Sequence, residues 1–211
     1  MDDDLFSLKE GETDPVLGKK IETLIISTNE FIVYLDDKYY VEYRIMNLSN
    51  YDTVKFGIIS NHISRLEELA KERLESGDKP IFHRLLGESM ARFLLENDLT
   101  NANDIIKQAE SFMTDRSEEK ARSWIFRAAM ITSVIFVILI PVFGLLRTYI
   151  ITGLSEDIYQ MMILPCFSVF GAFISLSRNK NVLITSFSSG RRIHNAEGVL
   201  RILTGLIGSV L

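Results

Sequence analysis

The chain has 211 residues, of which 47% are hydrophobic and 24% charged, and its formal net charge is −5. The single cysteine, Cys166, excludes a disulfide scaffold, and the apolar content excludes a disordered chain. Residues 1–122 carry a net charge of −9, whereas residues 123–211 carry +4. This asymmetry predicts an acidic aqueous half joined to a membrane half, and it argues against direct nucleic-acid binding by the aqueous half.

The first part of the chain predicts a terminus followed by a small sheet. Residues 1–20 combine acidic residues, Gly and Pro with little periodicity, which predicts a flexible terminus. Residues 21–59 show the two-residue apolar alternation of β-strands, with turn residues between the apolar stretches. About four strands are expected, around Ile21–Ser27, Phe31–Leu35, Val41–Ile45 and Val54–Ile58.

Residues 61–115 repeat apolar side chains at helical spacing and predict helices packed on the sheet. The first helix has Ser60 or Asn61 as its expected N-cap and Gly77 as its end. Pro80 suits the first turn of the second helix, because its missing N–H needs no partner there.

A third helix is expected from Thr100 or Asn101, either of which can cap it. The charged stretch 115–122 contains no Pro or Gly, so this helix either continues into the apolar segment beyond it or breaks near Thr114. Together these patterns predict a cytoplasmic α+β domain over residues 21–122.

The membrane half, residues 123–211, begins with a charge-free stretch of 19 residues, 128–146. As a helix this stretch would reach about 28 Å, close to the roughly 30 Å of bilayer hydrocarbon. Trp124 and Arg127 precede it and Arg147 follows it, as suits side chains at the headgroup level. The prediction is a transmembrane helix, and the alternative is the core helix of a soluble protein.

A second charge-free stretch covers the 20 residues 158–177, and Arg178 and Lys180 follow it. Pro141 and Pro165 each remove a backbone hydrogen bond, which transmembrane helices tolerate when neighbouring groups satisfy the freed carbonyl. Neither stretch contains an ionisable Asp, Glu, His, Lys or Arg, which argues against a proton relay or an ion-coupled transporter.

Positive charge flanks the two stretches on their outer sides and is sparse in the connection 147–157. The positive-inside rule then places the N-terminal domain and residues 178–197 in the cytoplasm, and the acidic start of the chain lacks the basic region of a signal peptide. We therefore expect an integral protein of the bacterial inner membrane. Its topology and anchor residues are Trp124, Arg127, Arg147, Arg178, Lys180, Arg191 and Arg192.

Residues 197–211 predict a short C-terminal apolar helix, with Asn195 as its N-cap. Fifteen helical residues reach only about 22 Å, short of a full span. An interfacial or re-entrant helix, a short third span, and the start of a longer native segment all fit this length.

Small residues recur at four-residue spacing in the predicted transmembrane helices, a spacing that permits close helix approach and self-association. The candidate helix–helix contact residues are Ala129, Ser133, Ser168, Gly171, Ala172 and Ser175.

The sequence contains no residue pattern that supports enzymatic activity. His62, His83 and His194 have no partner at a metal-ligand spacing, and we expect all three to be partly exposed. The glutamate pairs 67–68 and 118–119 are expected on solvated helix faces. Phosphate-binding and hydrolase motifs are absent from the sequence, so neither a cofactor nor a metal is expected.

The layout of a small acidic cytoplasmic domain before two membrane helices resembles the two-helix membrane effectors of bacterial anti-phage systems, including retron-associated ones. The segments 171–178 and 201–205 also look like helix ends in small bacterial membrane proteins. The resemblance is architectural, covers roughly residues 60–211 and transfers no functional residue. It implies a toxin-like protein that partner proteins hold silent through the cytoplasmic domain and that assembles and permeabilises the inner membrane on release.

The expected fold class is therefore a membrane α-helical protein with a small N-terminal cytoplasmic α+β domain. The expected partners are the lipid bilayer, proteins that bind the cytoplasmic domain, and further copies of the chain in a homo-oligomer. A membrane-anchored scaffold or sensor subunit without pore activity is the alternative function.

Overall fold

The computed structural model describes residues 7–153, 155–178 and 191–207. The chain is mostly helical, with one small antiparallel sheet near its N-terminus. It divides into two compact units, Met1–Ser117 and Glu118–Leu211. We call them the N-terminal unit and the helical unit.

The described residues form three strands and six α-helices, with one turn of 3₁₀-helix at Leu48–Asn50. The strands are β1 (Ile21–Ser27), β2 (Phe31–Asp36) and β3 (Val41–Ile45). The helices are α1 (Thr53–Arg73), α2 (Lys79–Glu96), α3 (Leu99–Leu145), α4 (Arg147–Gly153), α5 (Glu156–Arg178) and α6 (Arg191–Ile207).

The sheet has the order β1-β2-β3, and both pairings are antiparallel. Its central strand, β2, is buried along its whole length. The turn that follows β2 is built by Asp36, whose Oδ1 accepts the backbone N–H groups of Lys38 and Tyr40 at 2.9 and 2.8 Å. Tyr39 has the left-handed φ of 66° that this tight connection requires. The first three predicted strands are thus confirmed.

The fourth predicted strand is wrong, because residues from Thr53 onward form α1. Asp52 caps this helix by accepting the N–H groups of Val54 and Lys55 at 3.0 and 3.1 Å. Val54 and Ile58 are exposed, so their alternation did not mark a buried face. The buried face of α1 has helical spacing instead, and its members are Ile59, Ile63, Leu66 and Ala70.

The remaining helix ends of the N-terminal unit also differ in detail from the expected ones. Ser60 and Asn61 lie inside α1, which ends four residues before Gly77. Pro80 lies in the first turn of α2, as predicted. Asp98 accepts the backbone N–H groups of Leu99 and Thr100, so it caps α3 in place of the expected Thr100 or Asn101.

The main core of the N-terminal unit lies between one face of the sheet and the helices α1, α2 and the start of α3. The α2 helix supplies the large side chains that close this space. Fully buried members include Val33, Leu35, Ile59, Leu66, Phe82, Leu86, Phe93 and Ile106.

The opposite face of the sheet is covered by the segment 7–20, which corrects the expectation of a flexible terminus. Thr13 pairs with Lys20 in an antiparallel bridge, and the side chain of Asp14 is completely buried. The sequence did not predict this docking, because the segment lacks apolar periodicity and is held by the polar side chain of Asp14. Residues 1–6 lie outside the described part of the chain.

The α3 helix runs without interruption from Leu99 to Leu145, which agrees with the first of the two alternatives, continuation into the apolar segment, and not with a break near Thr114. Thr114 donates its hydroxyl to the carbonyl oxygen of Glu110 at 2.8 Å, as a threonine inside a helix does. Pro141 also lies within the helix. The connection to α5 contains the short helix α4, which the sequence pattern did not predict.

Two helices, α3 and α5, are long and apolar enough to cross a membrane. Their most apolar windows have mean hydropathies of 2.5 and 1.6, and only 11% and 12% of those windows are buried. The core helix of a soluble protein would be mostly buried, so the low burial does not favour that alternative. The predicted stretches 128–146 and 158–177 thus fall within α3 and α5, apart from Leu146 just after α3.

The C-terminal helix begins earlier than predicted. It starts at Arg191 instead of residue 197, and Asn195 lies inside it instead of capping it. A basic opening turn concealed the helical pattern, because only the residues from 197 onward are predominantly apolar. Its last described residue is Ile207, and residues 208–211 lie outside the described part.

Candidate functional site

The helical unit is held together by a small apolar cluster in which α3, α5 and α6 meet. Ile125 and Ala129 of α3, Val169 of α5 and Ile202 of α6 are each at most 1% exposed. Phe136, Ala172 and Phe173 pack around this cluster. We call this meeting point the helix junction.

Two glycines of α6 allow the close contacts at the junction. A Cβ on Gly198 would run into the backbone carbonyl oxygen of Ile125 and lie 3.1 Å from Cβ of Ala128. A Cβ on Gly205 would lie 2.5 Å from Cβ of Ala172. Since such distances are shorter than van der Waals contact, only glycine lets α6 approach α3 and α5 this closely.

These contacts fix how α6 lies on the other two helices. Gly198 meets α3, and Gly205, about 10 Å further along α6, meets α5. The rings of Phe126 and Phe173, 5.3 Å apart, bring α3 and α5 together at the same level. The α6 helix therefore packs against both α3 and α5.

Aromatic and charged side chains gather at the junction. The rings of Trp124 and His194 are 6.1 Å apart, and Nζ of Lys120 lies 5.4 Å from the centre of the Trp124 ring. Arg201 and Glu197 form an ion pair of 2.6 Å one turn apart on α6. The expected exposure of His194 is wrong, because this residue is 2% exposed. Its Nδ1 has no hydrogen-bond partner among the described residues, and Glu197 Oε2 is 3.9 Å away.

The sequence carries a signal for this buried face of α6. His194, Gly198, Ile202 and Gly205 follow the spacing i, i+4, i+8 and i+11, which is one stripe of a helix. The stripe is complete only in a helix that starts at Arg191, because a start at residue 197 leaves His194 outside the helix.

The predicted helix–helix contact residues divide into two groups. Ala129, Ser133 and Ala172 pack within the chain: Ala129 is completely buried, Ser133 is 7% exposed, and Ala172 meets Gly205. Gly171 and Ser175 are exposed on α5, and Ser168 is half-buried. Part of the small-residue pattern is therefore used inside one molecule, and Gly171 and Ser175 stay accessible.

The predicted anchor residues lie at the ends of the apolar segments. Trp124 is half-buried at the junction, whereas Arg127 and Arg192 are exposed. Arg147 sits over the Tyr159 ring at 5.8 Å and lies 3.9 Å from Glu156, so it connects the start of α4 to the start of α5. Arg178 and Arg191 lie at helix ends, and Lys180 is outside the described residues.

In the N-terminal unit, a buried ionic cluster is centred on Asp14. Its Oδ2 accepts the hydroxyl of Tyr34 at 3.0 Å, and its Oδ1 accepts Nη1 of Arg44 at 2.9 Å and the N–H groups of Val16 and Leu17. Burial alone would raise the pKa of Asp14, but these donors together lower it below its ordinary value. The cluster ties the segment 7–20 to the sheet, which is a structural role.

A second polar group lies between α1, α2 and the sheet. His83 is 3% exposed, contrary to expectation, and its Nδ1 is 3.7 Å from Oε1 of Glu67. Glu67 is not on a solvated face, because it accepts the backbone N–H of Val41 at 2.8 Å. His62 is partly exposed as predicted and lies 3.3 Å from Glu110.

Within residues 7–153, 155–178 and 191–207, no group of three His, Cys, Asp or Glu is arranged to hold a metal ion. The helix junction, with the exposed helix surfaces beside it, is therefore the candidate functional site. Comparison of the chain with protein-family models, curated proteins and solved structures gave no match.

Proposed function

We propose that the chain is an inner-membrane effector whose α3 and α5 segments cross the bilayer and whose helices associate with those of other copies. Partner proteins that bind the N-terminal unit would control this assembly, which perturbs or permeabilises the membrane. The observation that carries the proposal is the exposed, charge-free surface of α3 and α5, with Gly171 and Ser175 accessible on it.

Insertion is supported by the amount of apolar surface that these two helices expose. Ile138 and Leu164, near the middle of the two stretches, are 58% and 59% exposed. Soluble proteins rarely leave contiguous apolar surfaces of this kind in contact with water. Lipid would cover the same surface without cost, because the chain-internal hydrogen bonds of a helix satisfy its backbone.

Association is supported by Gly171 and Ser175, which are one turn apart on the exposed side of α5. Small residues at this spacing let two helix backbones come close enough for extensive van der Waals contact. The orientation with the N-terminal unit in the cytoplasm follows from the positive charge that flanks the two stretches.

The test is expression of the full chain alone in a bacterium, with growth and membrane potential followed by a voltage-sensitive dye. We expect the wild-type chain to depolarise cells and Gly171→Leu to abolish the effect, because the added side chain separates the associating helices. Gly144→Leu is the matched control, since Gly144 is an exposed glycine on the other apolar helix. Normal potential and growth at high expression of the wild-type chain would contradict the proposal.

A membrane-anchored scaffold or sensor is the second candidate, and the helix junction favours it. Ala129 and Ala172 are already covered by α6 within the chain, so the helix pair has an internal partner and could serve as a stable anchor. Replacing residues 123–211 by an unrelated two-helix anchor separates the two candidates. A scaffold would keep its function after this exchange, and an effector that works through its own helices would lose it.

A further inference from the structure

The helical unit contains a cleft between α3 and α6 that the proposed assembly does not use. It encloses about 320 Å³, within the range of small-ligand sites. Polar groups line it at Trp124, Arg127, Thr132 and Asn195. The remaining lining residues, Ala128, Ile131 and Val199, are apolar.

The charges around this cleft are suited to an anion. Arg127 is exposed and has no ion-pair or hydrogen-bond partner among the described residues. Lys120, about two helical turns before it, lies over the Trp124 ring. The lining contains no acidic side chain, and the nearby Glu197 is neutralised by Arg201 at 2.6 Å. A guanidinium group forms paired hydrogen bonds with phosphate oxygens, and the amide of Asn195 can donate another.

The shape of the cleft favours a lipid over a free phosphate ion. Arg127 stands immediately before the charge-free stretch 128–146, which is the level of lipid headgroups if that stretch crosses the bilayer. Ala128, Ile131 and Val199 continue the cleft as an apolar surface, and Ile131 is 52% exposed. A phosphate held at Arg127 would thus have its acyl chains lying along this surface.

We propose that this cleft binds one phospholipid with an anionic headgroup, the phosphate at Arg127 and Asn195 and an acyl chain along Ile131 and Val199. A net negative headgroup is preferred over a zwitterionic one, because no acidic side chain in the lining could pair with an ammonium group. The inference rests on the proposed membrane insertion.

Trp124 is the only tryptophan in the chain and lines the cleft, so its fluorescence reports on this site. The full chain is reconstituted in phosphatidylcholine vesicles that contain a minor fraction of phosphatidylglycerol, with acyl bromines on one lipid or the other as quenchers. We expect brominated phosphatidylglycerol to compete for the site about five-fold better than brominated phosphatidylcholine at equal mole fraction.

Two variants and one control make the result specific. Arg127→Gln removes the cation, and Val199→Phe fills the apolar part of the cleft. Each substitution should bring the preference for phosphatidylglycerol over phosphatidylcholine from about five-fold close to one. Arg192→Gln removes an exposed cation of α6 that does not line the cleft, so the preference should persist. Loss of the preference in Arg192→Gln to the same degree as in Arg127→Gln would show general surface attraction and overturn the proposal.

The remaining outcomes are also decisive. Equal quenching by the two lipids, in protein that floats with the vesicles, overturns the lipid site and leaves membrane insertion intact. Protein that neither floats nor is quenched contradicts the proposed function itself. A saturable change in Trp124 emission on titration with inorganic phosphate in pure phosphatidylcholine vesicles, at constant ionic strength, would assign the cleft to the free ion instead.

Discussion

At the scale of single residues, Asp14 is the buried charge that ties the segment 7–20 to the sheet. Its side chain is completely buried, and its oxygens accept from Tyr34, Arg44 and two backbone N–H groups. The sequence offered no sign of this, because one aspartate in a segment rich in Gly and Pro looks the same whether it is solvated or buried. Its partners come from β2 and β3, and only the folded sheet brings them to it.

We predict that Asp14→Asn destabilises the N-terminal unit by about 2–3 kcal/mol, because Arg44 loses its buried counter-charge. Hydrogen exchange of the β2 backbone amides, measured by mass spectrometry on the full chain in detergent, should then be about 30- to 150-fold faster. Glu22→Gln, which changes a carboxylate 42% exposed, is the control and should leave exchange unchanged.

Asp14 also determines how the stability of the N-terminal unit changes with pH. Since the pKa of Asp14 is lower in the folded unit than in the unfolded chain, its contribution is complete above the unfolded pKa and is lost as the pH falls through the folded one. Protection of β2 should therefore decrease in acid for the wild type and change less for Asp14→Asn. An equal acid response in the two proteins would contradict this role.

At the scale of elements, the apolar stretches were predictable and the short helix starts were not. The segments 128–146 and 158–177 can be recognised from their apolar composition over about 20 residues. This prediction does not require knowing how the residues pack in the folded chain. The segment Val54–Ile58 was expected to form a strand because its three apolar residues alternate with the two-residue period of a strand. Val54 and Ile58 are also four residues apart, so this short pattern fits the period of a helix equally well. The cap at Asp52 decides for the helix, and its two hydrogen bonds are visible only in three dimensions.

The α6 helix is the element whose position depends most on residue size. We predict that Gly198→Leu separates α6 from α3, because the new side chain would occupy the space of the Ile125 carbonyl. The overpacking should cost about 1–3 kcal/mol, so hydrogen exchange in α6 should rise about 5- to 150-fold and Trp124 emission should shift as its contact with His194 is lost.

The matched control is Ala196→Leu, which adds a leucine side chain at an exposed position of the same helix. It should leave both the exchange of α6 and the emission of Trp124 as in the wild type. An unchanged Gly198→Leu protein, or equal effects of the two substitutions, would show that α6 is not held against α3 by this glycine.

At the scale of the whole molecule, the change of charge along the sequence and the division into two compact units fall near the same residues. The change from net −9 to net +4 falls after residue 122, and the boundary between the two compact units along the chain falls after Ser117. Composition can indicate such a boundary because it averages over many residues and so shows where a charged, acidic stretch gives way to an apolar one. It could not indicate the packing of α6, which depends on Gly198, Ile202 and Gly205 meeting particular atoms of two other helices.

The central claim is the proposal that α3 and α5 cross the membrane, with the N-terminal unit and the start of α6 on the cytoplasmic side. Cysteine accessibility in spheroplasts tests it most directly, starting from a Cys166→Ala background that removes the only native thiol. With a membrane-impermeant maleimide, Ser155→Cys should be labelled in intact spheroplasts, whereas Lys38→Cys and Arg192→Cys should be labelled only after permeabilisation. Labelling of all three sites from the same side, or recovery of the protein in the soluble fraction, would contradict the account.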